Sequence, residues 1–348
     1  MPRVFRSDER LAAFKKPTLQ PTSQFKLNAE DCLVVCAGFE DRAVAVLRNA
    51  LIVSAGFSVI LVNYLPFVPE NRIDEIRGLC HERKLPIIPA TYDRQNPGGF
   101  GSLLLEKIAG VKGRVFLDVS AMSRLLIVQS LVAFASRNVG FKDCFVAYTE
   151  ADSYPPTRAE VAKALKQSGA DPTFSILLLS SGVFDVTVIP ELSSTTISST
   201  QTRLVAFPTF SADQITALRA ELQPSRFTLI QGIPPKHKNQ WRTKAIAKIN
   251  RMDSIIHEEY PTTCTLDYRQ TLDCLLRLYS QHAERERLLI SPTGSKMQAV
   301  AVGLFRAFVN DVQIVYPTPK EFRSPTNYTK GVGRMSLLSL DEFTTVFC

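Results

Sequence analysis

The chain has 348 residues, 45% of them hydrophobic and 21% charged, with a formal net charge of +8. That length and apolar content provide for two domains of ordinary size, each with its own core, and a charged fraction near average excludes a disordered body. No apolar run approaches the ~20 residues that span a bilayer, and the first sixteen residues carry charges where a signal peptide has its apolar core. The expectation is a soluble cytoplasmic protein without membrane contact.

In chain order, residues 1–30, with prolines at 2, 17 and 21 and many charges, read as an extension that docks on a partner or stays mobile. From residue 31, short β-branched runs at Leu33–Ala37, Val59–Asn63, Val115–Asp118 and Cys144–Tyr148 predict strands. Stretches of helical period, such as Ile73–Arg83 and Leu125–Ser136, lie between them. Ser175–Ile189 predicts a closing hairpin, so the first domain is set at 31–192. The hydroxyl-rich run 193–202 reads as a linker. The second domain, 203–348, repeats the pattern with strands at Leu204–Phe207, Thr228–Gln231, Leu288–Ser291 and Gln313–Tyr316, a helix at Gln298–Phe308 and a closing hairpin within Ser336–Phe347. Alternating strands and helices give an α/β class: two Rossmann-like domains, each a mainly parallel sheet ending in a hairpin.

The two halves are related in sequence. Cys32–Leu51 lies without gaps on Arg203–Leu222, pairing Leu33 with Leu204, Phe39 with Phe210, Leu47 with Leu218 and Arg48 with Arg219. Val59–Tyr64 answers Phe227–Gly232, Phe145–Tyr148 answers Ile314–Tyr316, and the two closing segments resemble one another. Matches in several segments and in one order indicate an internal duplication.

Seven cysteines without a redox CxxC, mostly within apolar runs, read as buried small hydrophobes, and four dispersed histidines predict no metal site. The excess positive charge leans toward an anionic partner. It concentrates at Lys236, Lys238, Arg242, Lys244, Lys248 and Arg251 around the only tryptophan, Trp241. One reading is a solvated helix face. The other is phosphate steering by Lys238, Arg242 and Lys244 with Trp241 as a stacking surface.

The chemistry is expected in two matching turns, because open parallel sheets collect ligands where loops diverge at the carboxyl ends of strands. Ser291-Pro-Thr-Gly-Ser-Lys-Met297 offers backbone approach at Gly294, hydroxyls at Thr293 and Ser295, and a cation at Lys296 beside a helix N-terminus. It is too short for a Walker A loop. A plain N-cap by Thr293 or Ser295 explains the spacing equally well. The N-terminal counterpart, Asp118-Val-Ser-Ala-Met-Ser-Arg124, keeps hydroxyls at Ser120 and Ser123 and a cation at Arg124. It adds Asp118, either a ribose ligand or an ion-pair partner. In the first loop, Gly38 permits the turn and Arg42 projects toward the mouth, while Glu40 and Asp41 suit a helix start.

The 291–297 motif followed by the apolar helix 298–304 resembles the strand-turn-helix of CRISPR-associated Rossmann-fold (CARF) domains, and two such units in one chain resemble SAVED domains. The resemblance covers residues 31–348 in outline, though Ser295 stands where a second glycine is common and the N-terminal copy has Ala121 in place of the glycine. It implies a sensor or regulatory subunit of a prokaryotic antiviral defence system that binds a nucleotide, of the cyclic oligonucleotide kind, between two Rossmann units. Thr293–Lys296 would form one wall and Ser120, Ser123 and Arg124 the other, with Tyr148 and Tyr316 at the rim. A separate effector protein would answer the signal, and no cofactor is needed. The first alternative is a metal-independent ring nuclease using Ser123, Arg124, Thr293 and Lys296. The second is a nucleic-acid-binding scaffold using the basic segment around Trp241.

Overall fold

A computed structural model of the chain describes residues 6–52, 57–168, 180–194, 201–252, 260–322 and 328–347. Its strands in chain order are β1 (Gln20–Thr22), β2 (Phe25–Leu27), β3 (Cys32–Cys36), β4 (Ala50–Ile52), β5 (Ser58–Leu65), β6 (Ile87–Asp93), β7 (Val115–Asp118), β8 (Cys144–Thr149), β9 (Ser180–Val188), β10 (Gln201–Ala206), β11 (Arg226–Leu229), β12 (Gln231–Ile233), β13 (Thr262–Cys264), β14 (Glu286–Ser291), β15 (Gln313–Phe322) and β16 (Met335–Ser339). The helices are α1 (Arg6–Ala13), α2 (Ala45–Asn49), α3 (Ile73–Glu82), α4 (Phe100–Ile108), α5 (Arg124–Ala135), α6 (Arg158–Ser168), α7 (Ala212–Leu222), α8 (Trp241–Ile249), α9 (Tyr268–His282), α10 (Lys296–Phe308) and α11 (Thr344–Phe347).

The chain divides into two units. Met1–Tyr154 with Tyr328–Cys348 forms unit 1, and Pro155–Asn327 forms unit 2. In unit 1 the strand order is β1-β16-β8-β7-β3-β5-β6. Pairs β3–β5, β3–β7, β5–β6 and β7–β8 are parallel, and β16 runs antiparallel to β8. Every residue of β3 is buried, as a central strand covered on both faces requires, which is why Cys32–Cys36 is uniformly apolar rather than alternating. Leu33, Val35, Val59, Leu61 and Phe116 pack there against Leu47, Ile76 and Cys80 from the helical segments. The helix α5 is buried from Leu125 to Leu131, so its sequence is apolar on all sides.

Unit 2 repeats the scheme with order β11-β10-β14-β15-β9. Pairs β10–β11, β10–β14 and β14–β15 are parallel, and β9 is antiparallel to β15. Leu204, Ile215, Leu218, Leu229, Leu289 and Val315 form its core. In the two sheets β3 and β10 each have the next parallel strand, β5 or β11, on one side and, on the other, β7 or β14, which leads into a long buried helix. The α/β class, the two mainly parallel sheets and the interleaved helices expected from the sequence are all present.

Two expectations are corrected. The closing segments do not form hairpins within their own halves: β9, from the first half, completes the sheet of unit 2 through pairs such as Val315–Val188, and β16, from the second half, completes that of unit 1 through Met335–Thr149. The unit boundaries therefore fall after Tyr154 and Asn327 rather than in 193–202. The cause lies in the duplication itself, since two similar closing strands fit two similar sheet edges and the hydrophobic pattern does not say which goes where. Residues 175–179 and 195–200 of the expected hairpin and linker lie outside the described residues. The second correction concerns residues 1–30, which are part of unit 1. Strand β1 pairs with β16, β2 pairs with β4, Leu11 and Leu27 are buried, and the ring of Phe14 lies 5.1 Å from that of Phe343.

Candidate functional site

In unit 1 the chain turns from β3 toward β5 and from β7 toward β8 on opposite sides, so the loops after β3 and β7 diverge at a topological switch point. Gly38 and Ala121 meet there. A Cβ at position 38 would lie 2.9 Å from the Ala121 Cβ and 3.3 Å from its carbonyl oxygen, so the glycine serves loop-to-loop packing, and Ala121, in place of the motif glycine, is its partner.

Arg42 does not project to an open mouth. It is buried, its Nε and Nη2 donate to Glu40 Oε2 at 3.1 and 2.9 Å, and its Nη1 donates to the Thr149 carbonyl at 3.1 Å and the Tyr148 hydroxyl at 3.4 Å. Burial disfavours the guanidinium charge, but the Glu40 carboxylate together with the Tyr148 and Tyr154 hydroxyls outweighs it and holds the Arg42 pKa above the ordinary arginine value. Asp118 accepts the Ser120 amide at 3.0 Å, and Ser120 Oγ accepts the Thr149 amide at 2.8 Å. Ser123 is the N-cap of α5: its Oγ accepts from the Leu126 amide at 3.3 Å, and its own amide donates to the Tyr64 hydroxyl at 2.6 Å. Arg124 is the first residue of α5 and is half-buried.

Arg42 and Ser120 thus hold the two backbone groups of Thr149, at the carboxyl end of β8. Thr149 lines a cavity of about 470 Å³ with Thr22, Ser23, Asn49, Gly333 and Arg334 among its neighbours. Thr149 is fully buried, and among the described residues its Oγ1 has no hydrogen-bond partner. Arg334 is exposed. A volume of this order is that of a small-ligand pocket. Sequence reasoning missed this cavity because its walls come from the N-terminal extension and from residues 333–334, segments remote from β8 in the chain.

In unit 2 the loops after β10 and β14 diverge in the same way. Thr293 is buried and bridges them: its Oγ1 donates to the Phe207 carbonyl at 2.8 Å and accepts from the Phe207 amide at 3.1 Å. A Cβ on Gly294 would lie 2.9 Å from the Phe207 Cβ and closer still to Gln298 Oε1. Ser295 closes a capping box with Gln298, accepting its amide at 3.1 Å while Gln298 Oε1 accepts the Ser295 amide at 2.8 Å, and Ser295 Oγ donates to the Thr265 carbonyl at 2.6 Å. Lys296 occupies the first position of α10, as Arg124 does in α5, and is half-buried. The capping alternative therefore holds for Ser295, and Ser123 caps α5 in the same way. The hydroxyls of Ser123, Thr293 and Ser295 are engaged inside the protein.

The basic segment separates into two groups. Trp241 packs with Val161, Phe210, Leu165, Ala245 and Ile249. Arg242 donates to the carbonyls of Pro155 and Pro156 at 2.9 and 3.0 Å and lies 4.7 Å from the Phe210 ring centroid. Both are structural, which corrects the assignment of Trp241 as a stacking surface and of Arg242 as a steering cation. Lys236, Lys238, Lys244, Lys248 and Arg251 are exposed.

Burial pushes the thiols of Cys32 and Cys80 up to about 11 and that of Cys144 up to about 12, and it raises the Tyr64 and Tyr154 hydroxyls above the ordinary tyrosine value. Among the described residues no group of three or more His, Cys, Asp or Glu is placed to hold a metal ion, and no helix is long and apolar enough to cross a membrane.

No protein-family model matches the chain, and no curated protein matches it. Among solved structures, a protein described as a universal stress protein from Pseudomonas aeruginosa UCBPP-PA14 is similar at 10% identity and a TM-score of 0.24, over 84% of this chain and 94% of that one. A ketoreductase domain from the bacillaene assembly line is similar at 12% identity and a TM-score of 0.19, over 88% and 70%. With scores this low, the fold class rests on the strand orders above.

Proposed function

We propose that the chain is a nucleotide-binding regulatory protein, and that unit 1 binds a phosphate-bearing ligand of the cyclic oligonucleotide kind at the carboxyl edge of its sheet. The observation that carries this reading is the cavity of about 470 Å³ beside β8, where the exposed Arg334 supplies a cation at the wall. Arg42 and Ser120, expected from the sequence to touch the ligand, act one step back by fixing the Thr149 backbone. The duplicated strand-turn-helix, which resembles CARF and SAVED units, supports the choice of ligand class and a regulatory role in antiviral defence. Hydrolysis is not proposed, because the hydroxyls of Ser123 and Thr293 are hydrogen-bonded within the protein and the buried thiols lie far above neutral pH.

Titration calorimetry with a panel of cyclic di-, tri- and tetranucleotides and their linear counterparts tests the proposal. Saturable binding of one class is expected, weakened about 10–100-fold by Arg334→Ala, the value of one charge-assisted contact. Thr149→Val should weaken it less. Absence of heat with every nucleotide, or binding indifferent to Arg334→Ala, overturns the assignment.

A further inference from the structure

The helices α6 and α8 pack together in unit 2 through Val161, Leu165, Trp241, Ala245, Ile246 and Ile249. Their outer surfaces are basic. Between Gln223 and Met252 the sequence has seven Lys and Arg and no Asp or Glu. Five of these, Lys236, Lys238, Lys244, Lys248 and Arg251, are exposed on α8 and its two ends, and α6 exposes Arg158, Lys163 and Lys166. The one acid on α6, Glu160, accepts hydrogen bonds from the amide and hydroxyl of Thr157 at 2.6 and 2.9 Å at the start of the helix. Among the described residues of the two helices and their ends, eight exposed cations stand beside one acid, in a chain whose whole formal excess is +8. An ordinary solvated helix face mixes both signs, and this one does not.

We propose that the α6–α8 face binds the phosphate backbone of a nucleic-acid duplex, independently of the unit 1 cavity. Lys244 and Lys248 stand one turn apart on α8, and Arg251 follows in the turn after it, a row of point charges suited to successive phosphates. The face favours duplex over single strand because its one tryptophan ring, Trp241, packs against Phe210 and Val161 and is only partly exposed, a poor platform for unpaired bases. Binding is therefore insensitive to sequence and read by charge alone.

Fluorescence anisotropy with labelled duplexes of random sequence, and a single strand of equal length, tests this on the full chain. The logarithm of affinity should fall with the logarithm of salt concentration at a slope of about −3 to −5. Lys244→Glu/Lys248→Glu should weaken duplex binding at least about tenfold and make the slope shallower by about 2. All four substituted positions in this variant and in Arg158→Glu/Lys166→Glu are exposed, so circular dichroism should be unchanged. The α6 variant decides the matter if the α8 variant misfolds. Arg334→Ala should retain full duplex binding, which separates this face from the nucleotide cavity. Unchanged affinity in the charge-reversal variants, affinity independent of salt, or retention on heparin without duplex binding would each overturn the proposal.

Discussion

Replacing Thr293 by valine tests whether its hydroxyl is a structural clip. The side chains have nearly the same shape, so the substitution removes the hydroxyl and little else. Thr293 is 1% exposed, and its hydroxyl satisfies both the amide and the carbonyl of Phe207. Valine leaves both without this partner in a buried loop. At about 1–3 kcal/mol for each unsatisfied group, the expected loss is about 3 kcal/mol, or roughly 6–12 °C in Tm for a unit of this size. Urea unfolding followed by circular dichroism supplies the stability, and hydrogen exchange at the Phe207 amide localises it. Thr293→Ser keeps the hydroxyl and should recover most of the loss. Wild-type stability in Thr293→Val, with Phe207 still protected, would refute the clip and return the hydroxyl to the ligand.

Gly38→Ala should cost about 1–3 kcal/mol by overpacking against Ala121, and Ala121→Gly in the same chain should recover part of it; unfolding curves of the single and double variants check this. Asp31 is buried, which raises its pKa, but hydrogen bonds from the Arg114 side chain and from the Asn28 and Arg114 amides hold it below the ordinary value of 3.8. Its stabilisation is thus full above that value and lost as pH falls through the lowered one. Asp31→Asn should be less stable than wild type at pH 7, and the gap should close below about pH 4 in urea titrations. Cys32, Cys80 and Cys144 should resist thiol reagents at pH 8 in the native protein and react in urea, as mass spectrometry of alkylated peptides would show.

The strand runs, the duplication and the switch-point turns were legible because apolar runs and cap residues act locally. Ser295 could be placed as an N-cap from its spacing to the helix that follows. What Arg42 does was not legible, because Tyr148 and Thr149 reach it only after β3 and β8 are set two strands apart. The exchange of β9 and β16 escaped for a related reason. Pairing is a long-range choice that local sequence does not specify. Trp241 looked like a stacking ring because its neighbours in sequence are lysines, whereas its neighbours in space, Val161 and Phe210, come from segments the sequence does not connect to it. The cavity beside β8 is the extreme case, built from the N-terminal extension, the end of α2 and the residues before β16.

The claim that unit 1 holds a nucleotide beside β8 is met most directly by photocrosslinking with an azido-substituted cyclic oligonucleotide, followed by peptide mapping. Labelling is expected in the peptides that carry Thr149 and Arg334, and unlabelled nucleotide should compete it away. Crosslinks confined to peptides outside the cavity wall, or labelling that competitor leaves unchanged, would contradict it.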